Sequence, residues 1–217
     1  MVRSMKATLS AEERANTWTH LVPLAATLAI AWPLLQAAYQ AQIIHHQFEI
    51  LGTALFLFGM VLMFLSSTLY HAVSAPVAKA RLRIFDHISI YVMISGSYSL
   101  ICLSVIGGWM GISLFIFLWA CVLAGAIGKF VALGKYPKLS LALYLAMGWV
   151  ALLILWPLWK NLSHAAFAWI FAEGILYTIG SYFFNKDEEH AFYHAIWHVF
   201  ITLGAASHTI ATWLILN

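Results

Sequence analysis

Two histidines four residues apart begin the last apolar stretch of the chain, in the sequence HAIWH at residues 194–198. In a helix, residues with this spacing lie on one face about one turn apart, so His194 and His198 present two imidazoles to the same region. Neutral imidazole is a good ligand for zinc, so the pair fits a metal site. It also fits an aromatic, partly polar helix end without a ligand. The topology of the chain has to decide between these interpretations.

Composition assigns the chain to the membrane class. Of its 217 residues, 63% are hydrophobic and 9% are charged, whereas soluble domains have about 25% charged residues. The two cysteines, Cys102 and Cys121, fall inside apolar stretches without CxxC spacing, which is typical of small core residues rather than of a disulfide. The first 18 residues are polar, so we expect no cleavable signal peptide.

Seven apolar stretches predict an all-α membrane protein with seven transmembrane helices. Each approaches the roughly 20 residues that a spanning helix needs, and the connections between them are short. We therefore predict a polar head over residues 1–18 and one transmembrane domain over residues 19–217. Within the head, Ser10 and Glu13 have capping-box spacing, which predicts a helix start at residue 11. The stretches are 21–41, 50–71, 84–106, 110–131, 139–158, 165–184 and 194–216.

Basic residues predict the orientation of the seven spans. Of the 11 lysines and arginines, all except Lys160 fall on the side of the N-terminus if all seven spans are counted. The positive-inside rule makes that side cytoplasmic. We therefore expect a multi-pass protein of the inner (plasma) membrane, with the N-terminus inside and the C-terminus outside. The other basic residues are Arg3, Lys6, Arg14, Lys79, Arg81, Arg83, Lys129, Lys135, Lys138 and Lys186.

This topology collects distant polar residues at one depth, near the cytoplasmic ends of four spans. Ionisable groups at the edge of a membrane span are costly and usually have a function. A random distribution would scatter them over both ends, so the clustering favours a common site. The residues are His20 on the first span, His71 at the end of the second, Asp86 and His87 on the third, and His194 and His198 on the seventh.

Ser67 and Asp86 are candidates to complete such a site. Ser67 lies four residues before His71 and shares its helix face. Asp86 follows a short basic turn and can reach toward the same point. Structural alternatives stay open for both, because Ser67 can bond its own backbone four residues earlier. Asp86 can pair with Arg83 or favour a helix N-terminus.

The order and spacing of these motifs resemble the hemolysin III family, which belongs with the progestin and adipoQ receptors. The chain is identified as a bacterial inner-membrane member, with the resemblance covering about residues 11–217. It implies a seven-helix fold and a Zn²⁺ ion held by His71, His194 and His198, with water at the fourth position. The matching elements are Glu13-x2-Asn16-x3-His20, Ser67-x3-His71 followed by Asp86, His194-x3-His198, and the segments LYLAMGW at 143–149 and LYTIG at 176–180.

The first functional hypothesis is a zinc-dependent hydrolase. Three protein ligands and an open position are typical of catalytic zinc, and zinc lowers the pKa of a bound water to about 7. Asp86 could orient that water or take its proton, and Ser67 could donate to the developing oxyanion. The depth of the site favours a lipid amide or ester of the cytoplasmic leaflet, and the wider superfamily is similar to alkaline ceramidases. We expect membrane lipid as substrate or ligand and no nucleic-acid partner.

Two other function classes stay open at this point. One is a receptor-like sensor of membrane lipid state, in which zinc is a structural clamp between the second and seventh spans. The other is a pore-forming cytolysin, as the name of the family implies. The sequence does not predict the oligomeric state.

A second prediction concerns two polar residues in the middle of the membrane. Glu173 on the sixth span, where the family pattern leads us to expect a small residue, and His208 on the seventh lie at nearly the same depth if each helix rises 1.5 Å per residue. A carboxylate at that depth needs a partner or a proton. We predict that the two side chains face the bundle interior and interact directly or through one water. The alternative is a protonated Glu173 bonded to a nearby serine or tyrosine.

Overall fold

The computed structural model describes residues 9–45 and 47–217, and this part of the chain is helical with short connections. Seven of its helices are long and apolar enough to cross a membrane, which confirms the predicted fold class. Residues 1–8 of the predicted head, with Arg3 and Lys6, lie outside the described residues. The helices are α1 (Ala11–His45), α2 (Glu49–Ala72), α3 (Pro76–Ile106), α4 (Gly108–Ala132), α5 (Pro137–Asn161), α6 (His164–Asn185) and α7 (Tyr193–Leu216).

The first helix begins where the capping-box pattern predicts. The Glu13 backbone N–H donates to the Ser10 hydroxyl at 3.1 Å, which satisfies one of the free donors at the helix start. From Ala11 the helix continues to His45 through Pro23 and Pro33. The described part of the predicted head and the first span therefore form one continuous helix.

Six of the helices form a ring around a cavity of about 540 Å³. Around the ring, α1 packs against α2, α2 against α3, α3 against α5, α5 against α6, α6 against α7, and α7 against α1. The remaining helix, α4, packs on α3. Polar side chains from both hairpins of the ring, α2–α3 and α6–α7, line the cavity.

Glycines bring α2 and α3 into backbone contact. A Cβ atom added to Gly96 would lie 2.6 Å from the Leu55 carbonyl oxygen, and one added to Gly52 would lie 2.5 Å from the Leu100 Cα. Such distances leave no room for a side chain, so small residues permit this close approach, as they do between membrane helices generally. The result is a tightly packed hairpin that carries Ser67, His71 and Asp86 toward its connected end, where a short turn joins α2 to α3.

Two helices of the ring change their winding, α3 at its end and α5 in its middle. The last turn of α3, Ile101–Ile106, is π-helical, and α5 contains a 3₁₀ segment, Trp149–Ile154. The hydroxyl of Tyr98 donates to the Gly148 carbonyl and accepts from the Ala151 N–H at 2.8 Å. The tyrosine thereby satisfies backbone groups that the change from α- to 3₁₀-helix leaves free.

Candidate metal centre

Three imidazoles meet at one end of the ring, which we call the histidine end. His71 lies in the last turn of α2, and His194 and His198 lie in the first two turns of α7. One ring nitrogen from each lies within 4.8 Å of the others. The ring centroids of His71 are 5.1 Å from those of both His194 and His198, which are 4.6 Å apart. Helix packing therefore brings together the three histidines that the sequence predicts to be ligands.

His71 is oriented by the first helix. Its Nδ1 donates to the Glu13 Oε2 at 2.7 Å, and the other oxygen of that carboxylate accepts from the Lys79 ammonium at 2.8 Å. The residue is 3% exposed, and its Nε2 is buried with no hydrogen-bond partner among the residues that the structure describes. A buried imidazole nitrogen without a partner is costly, and this one lies beside two further imidazoles with which it could hold a metal ion.

His194 is oriented by the connection between α6 and α7. Its Nδ1 lies 2.7 Å from Asp187 Oδ2. The connection ends at Phe192, whose φ of +63° lies in the left-handed region and is uncommon for a bulky residue. The Phe192 N–H donates to Glu12 Oε1 at 2.9 Å, so the N-terminus of α1 holds the start of α7 in place.

His198 takes its orientation from α1. Its Nδ1 lies 3.2 Å from the Asn16 carbonyl oxygen and 3.0 Å from the Thr19 hydroxyl. The ring of His20 stacks on it at 3.7 Å with an interplanar angle of 16°. Both nitrogens of His20 are buried and have no hydrogen-bond partner in residues 9–45 and 47–217, and the ring covers one face of His198. Each residue of the motif Glu13-x2-Asn16-x3-His20 on α1 thus contacts a histidine of the cluster.

The donor set fits zinc. All three Nδ1 atoms have an oxygen partner within 3.2 Å, which leaves the three Nε2 atoms for a common ligand. Carboxylates and backbone carbonyls on the second nitrogen are the usual supports of metal-binding histidines. Tetrahedral zinc with Zn–N bonds of about 2.0–2.1 Å places its ligand atoms about 3.4 Å apart. One ring nitrogen from each of the three histidines lies within 4.8 Å of the others, somewhat more than that distance.

Ser67 and Asp86 line the same cavity as the three histidines. The Ser67 hydroxyl is buried and makes no hydrogen bond to its own backbone within the described part of the chain, and it lies close to the Asp86 carboxylate. Asp86 is half-buried, and no nitrogen of Arg83 lies within 4.0 Å of its carboxylate among residues 9–45 and 47–217. Both side chains therefore remain available to a molecule in the cavity.

Glu173 and His208 form a second polar pair in the cavity wall. The His208 Nδ1 lies 2.7 Å from the Glu173 Oε2, and the two residues are 2% and 8% exposed, respectively. The direct interaction predicted between them is confirmed. His208 lies ten residues beyond His198 on α7, about 15 Å farther from the histidine end at 1.5 Å per residue.

A comparison with known proteins identifies the family of the chain. A family described as "Haemolysin-III related" matches residues 9–209, nearly the entire described chain. The chain belongs to this family. It is 34% identical over 197 residues, 90% of each protein, to the "Hemolysin-3 homolog" of Bacillus subtilis (strain 168). It is 36% identical over 148 residues to the "Hemolysin-3" of Bacillus cereus, covering 68% of this chain and 67% of that protein.

The chain is also similar to a mammalian protein. The chain is 29% identical over 170 residues to the "Monocyte to macrophage differentiation factor" of Homo sapiens, covering 71% of this chain and 66% of that protein. With seven candidate spanning helices, this member of the haemolysin-III related family is a multi-pass membrane protein.

Two supports of the cluster are not predicted from the sequence. Asp187 bonds His194, and Thr19 bonds His198, although neither belongs to the motifs identified above. The run Asp187-Glu188-Glu189 immediately before the last span could have indicated the role of Asp187, because it places carboxylates at the histidine end. Thr19 has no such signal, since a threonine in a helix usually bonds its own backbone, as this one also does to the Ala15 carbonyl.

Proposed function

We propose that this protein is a zinc-dependent hydrolase of lipid amide or ester bonds, with zinc held by His71, His194 and His198. One observation carries the proposal: three imidazoles, each fixed through Nδ1 by an oxygen of a different residue, converge at a cavity inside a ring of membrane helices. A zinc ion that only clamps two helices together needs the three ligands and no cavity. The cavity gives the same ligands access to a molecule of lipid size.

In the proposed reaction, the metal ion and the protein side chains have separate roles. When bound, zinc supplies Lewis-acid activation of water and of the carbonyl group. The Asp86 carboxylate takes a proton from the attacking water and passes it to the leaving amine or alcohol as the carbonyl C–N or C–O bond breaks. The free hydroxyl of Ser67 donates a hydrogen bond to the carbonyl oxygen as negative charge develops there.

The remaining wall of the cavity suits a hydrocarbon chain. Beyond the histidine end it is lined mainly by apolar side chains from α3, α5 and α6, among them Met93, Ile101, Leu158, Phe167 and Ile170. Such a wall in a membrane protein favours an acyl chain over a soluble substrate. The excess of lysine and arginine at the histidine end supports placing the reaction at the cytoplasmic leaflet.

Metal analysis and turnover test the proposal together. Purified wild-type protein should contain about one zinc per chain and release fatty acid from a radiolabelled membrane-lipid pool, with loss of release after chelation. His164→Ala is the matched control, because it removes an exposed imidazole that begins α6 and stacks on Trp159. Bound zinc without turnover of any lipid class would overturn the hydrolase. Dye leakage from protein-containing liposomes in that case would favour the cytolysis suggested by the names of the Bacillus relatives.

A further inference from the structure

Three cationic side chains line the wall of the cavity formed by α3, α4 and α5. Arg83 comes from the first part of α3, Lys129 from the last turn of α4, and Lys138 from the start of α5. Because α3 begins, α4 ends and α5 begins at the histidine end, all three lie near the candidate metal centre. Arg83 and Lys138 are exposed at the cavity mouth, whereas Lys129 is buried, with 6% of its surface exposed.

None of the three has a counter-ion within the part of the chain that the structure describes. Among residues 9–45 and 47–217, no carboxylate oxygen lies within 4.0 Å of Arg83, Lys129 or Lys138. The neighbouring Lys79, by contrast, pairs with Glu13 at 2.8 Å. A buried ammonium group without an anion is unfavourable by several kcal/mol, so Lys129 in particular lacks a partner that its environment requires.

The contacts of Lys129 hold its ammonium group in place without neutralising it. Its Nζ donates to the Ser140 hydroxyl at 2.7 Å, and Ser140 in turn donates to the Tyr136 carbonyl oxygen at 3.1 Å. The Nζ also lies 5.4 Å from the centre of the Tyr144 ring. An ammonium group has three donors, and the hydrogen bond to Ser140 uses one. Two donors remain for a molecule in the cavity.

We infer that Arg83, Lys129 and Lys138 bind the phosphate group of an anionic phospholipid whose acyl chain enters the cavity. Arginine and lysine are the usual phosphate-binding side chains, and the three residues lie at the end of the bundle where basic groups meet lipid headgroups. The α6–α7 connection contributes three carboxylates to the cavity wall, Asp187 to Glu189, which repel an anion. On the wall formed by α3, α4 and α5, the three cations outnumber the carboxylate of Asp86, so an anion is favoured there. As a statement of substrate class, this inference rests on the proposed hydrolase function, but phosphate binding itself requires no turnover.

Binding of lipids that cannot be hydrolysed tests the inference. Native mass spectrometry of the purified protein would compare diether phosphatidylglycerol with diether phosphatidylcholine, whose choline ammonium the three cations repel. We expect wild type to prefer phosphatidylglycerol, and Lys129→Gln to lower that affinity about tenfold or more, the effect of losing a hydrogen bond between charged groups. Lys135→Gln is the matched control, because Lys135 is exposed and lies outside the cavity wall.

Further variants keep the test independent of folding. Lys129→Arg retains the charge and should retain most of the preference, and Lys138→Gln changes an exposed residue and should weaken it. Inorganic phosphate should compete with the lipid only weakly, because it lacks the acyl chain. Equal binding of the two lipids by wild type, or unchanged phosphatidylglycerol affinity in both Lys129→Gln and Lys138→Gln, would overturn the inference. Binding of phosphatidylglycerol without lipid turnover would contradict the proposed hydrolase function and support the phosphate site. Turnover that does not depend on these cations would support the hydrolase function and contradict the phosphate site.

Discussion

The Glu13 carboxylate lies 2.7 Å from the His71 Nδ1 and joins residues 58 positions apart in the sequence. Because the same carboxylate also accepts from Lys79, it remains an anion that orients the imidazole and increases its strength as a ligand. Supports of this kind contribute about 10- to 100-fold to metal affinity. We expect Glu13→Gln to weaken zinc binding by that factor, measured by competition with a chelator. Glu189→Gln, which changes an exposed carboxylate paired with Lys186, should leave the affinity unchanged.

Loss of any one histidine of the cluster should lower both metal content and stability. Zinc that binds only the folded state adds about 2.7 kcal/mol to the free energy of unfolding at a free concentration a hundred times its Kd. We therefore expect wild type to melt at a higher temperature with zinc than with chelator, and His71→Ala, His194→Ala and His198→Ala to lose this difference. Full metal occupancy in all three variants would contradict the assignment of the ligands.

Asp86 should behave differently from the histidines. Asp86→Asn keeps the size of the side chain and removes the proton acceptor, so we expect full zinc content with hydrolysis lowered about 10²- to 10⁴-fold. Ser67→Ala should also keep the metal and show a smaller loss of rate. If Asp86→Asn loses zinc, the carboxylate is instead a ligand or a support of one.

The Glu173–His208 pair should show energetic coupling in the middle of the bundle. The two side chains are in direct contact and buried, so removing one leaves the other without a partner. In a double-mutant cycle of Glu173→Gln and His208→Ala, we expect an interaction energy of about 0.5–3 kcal/mol in unfolding. Additive effects would show that the contact contributes nothing. Glu173→Gln combined with His164→Ala supplies a distant pair that should be additive.

The contact between α2 and α3 predicts a steric effect at one glycine. A Cβ at Gly96 would meet the Leu55 carbonyl oxygen at 2.6 Å, whereas one at Gly128 on α4 has no neighbour within 4 Å. Gly96→Ala should therefore destabilise the protein by about 1–3 kcal/mol through overpacking. Gly128→Ala should be neutral or slightly stabilising, since alanine favours a helix. Thermal unfolding of the two variants in the same detergent compares them directly.

The helices and the histidine cluster follow from the sequence because hydropathy and charge bias depend on residue type alone. Alternating spans put His71, His194 and His198 at one end of the bundle, and the structure brings them within contact distance. The same depth argument predicts the Glu173–His208 contact. The depth of the two residues in the membrane is enough to predict their contact, because a buried polar group between neighbouring helices has few possible partners.

Other features could not be predicted, because they depend on packing between particular side chains. The π-helical turn of α3 and the 3₁₀ segment of α5 occur in apolar stretches that hydropathy does not distinguish from ordinary helix. The burial of Lys129 cannot be predicted by counting charges, because the count treats Lys129 as one more basic residue at the predicted cytoplasmic side. Lys129 bonds Ser140 instead of facing water because the short connection between α4 and α5 brings the start of α5 to the end of α4.

The position of α7 in the chain sets when the cluster can exist during synthesis. Two of its three imidazoles lie on this last described helix, and their supports lie on α1 and on the connection that precedes α7. A nascent chain that has inserted six helices carries His71 and Glu13 but has no second imidazole of the cluster. Under the proposed function, metal can therefore be captured only after α7 enters the bilayer and α1 packs against it. Loading of the ion would then report that α7 has joined the bundle.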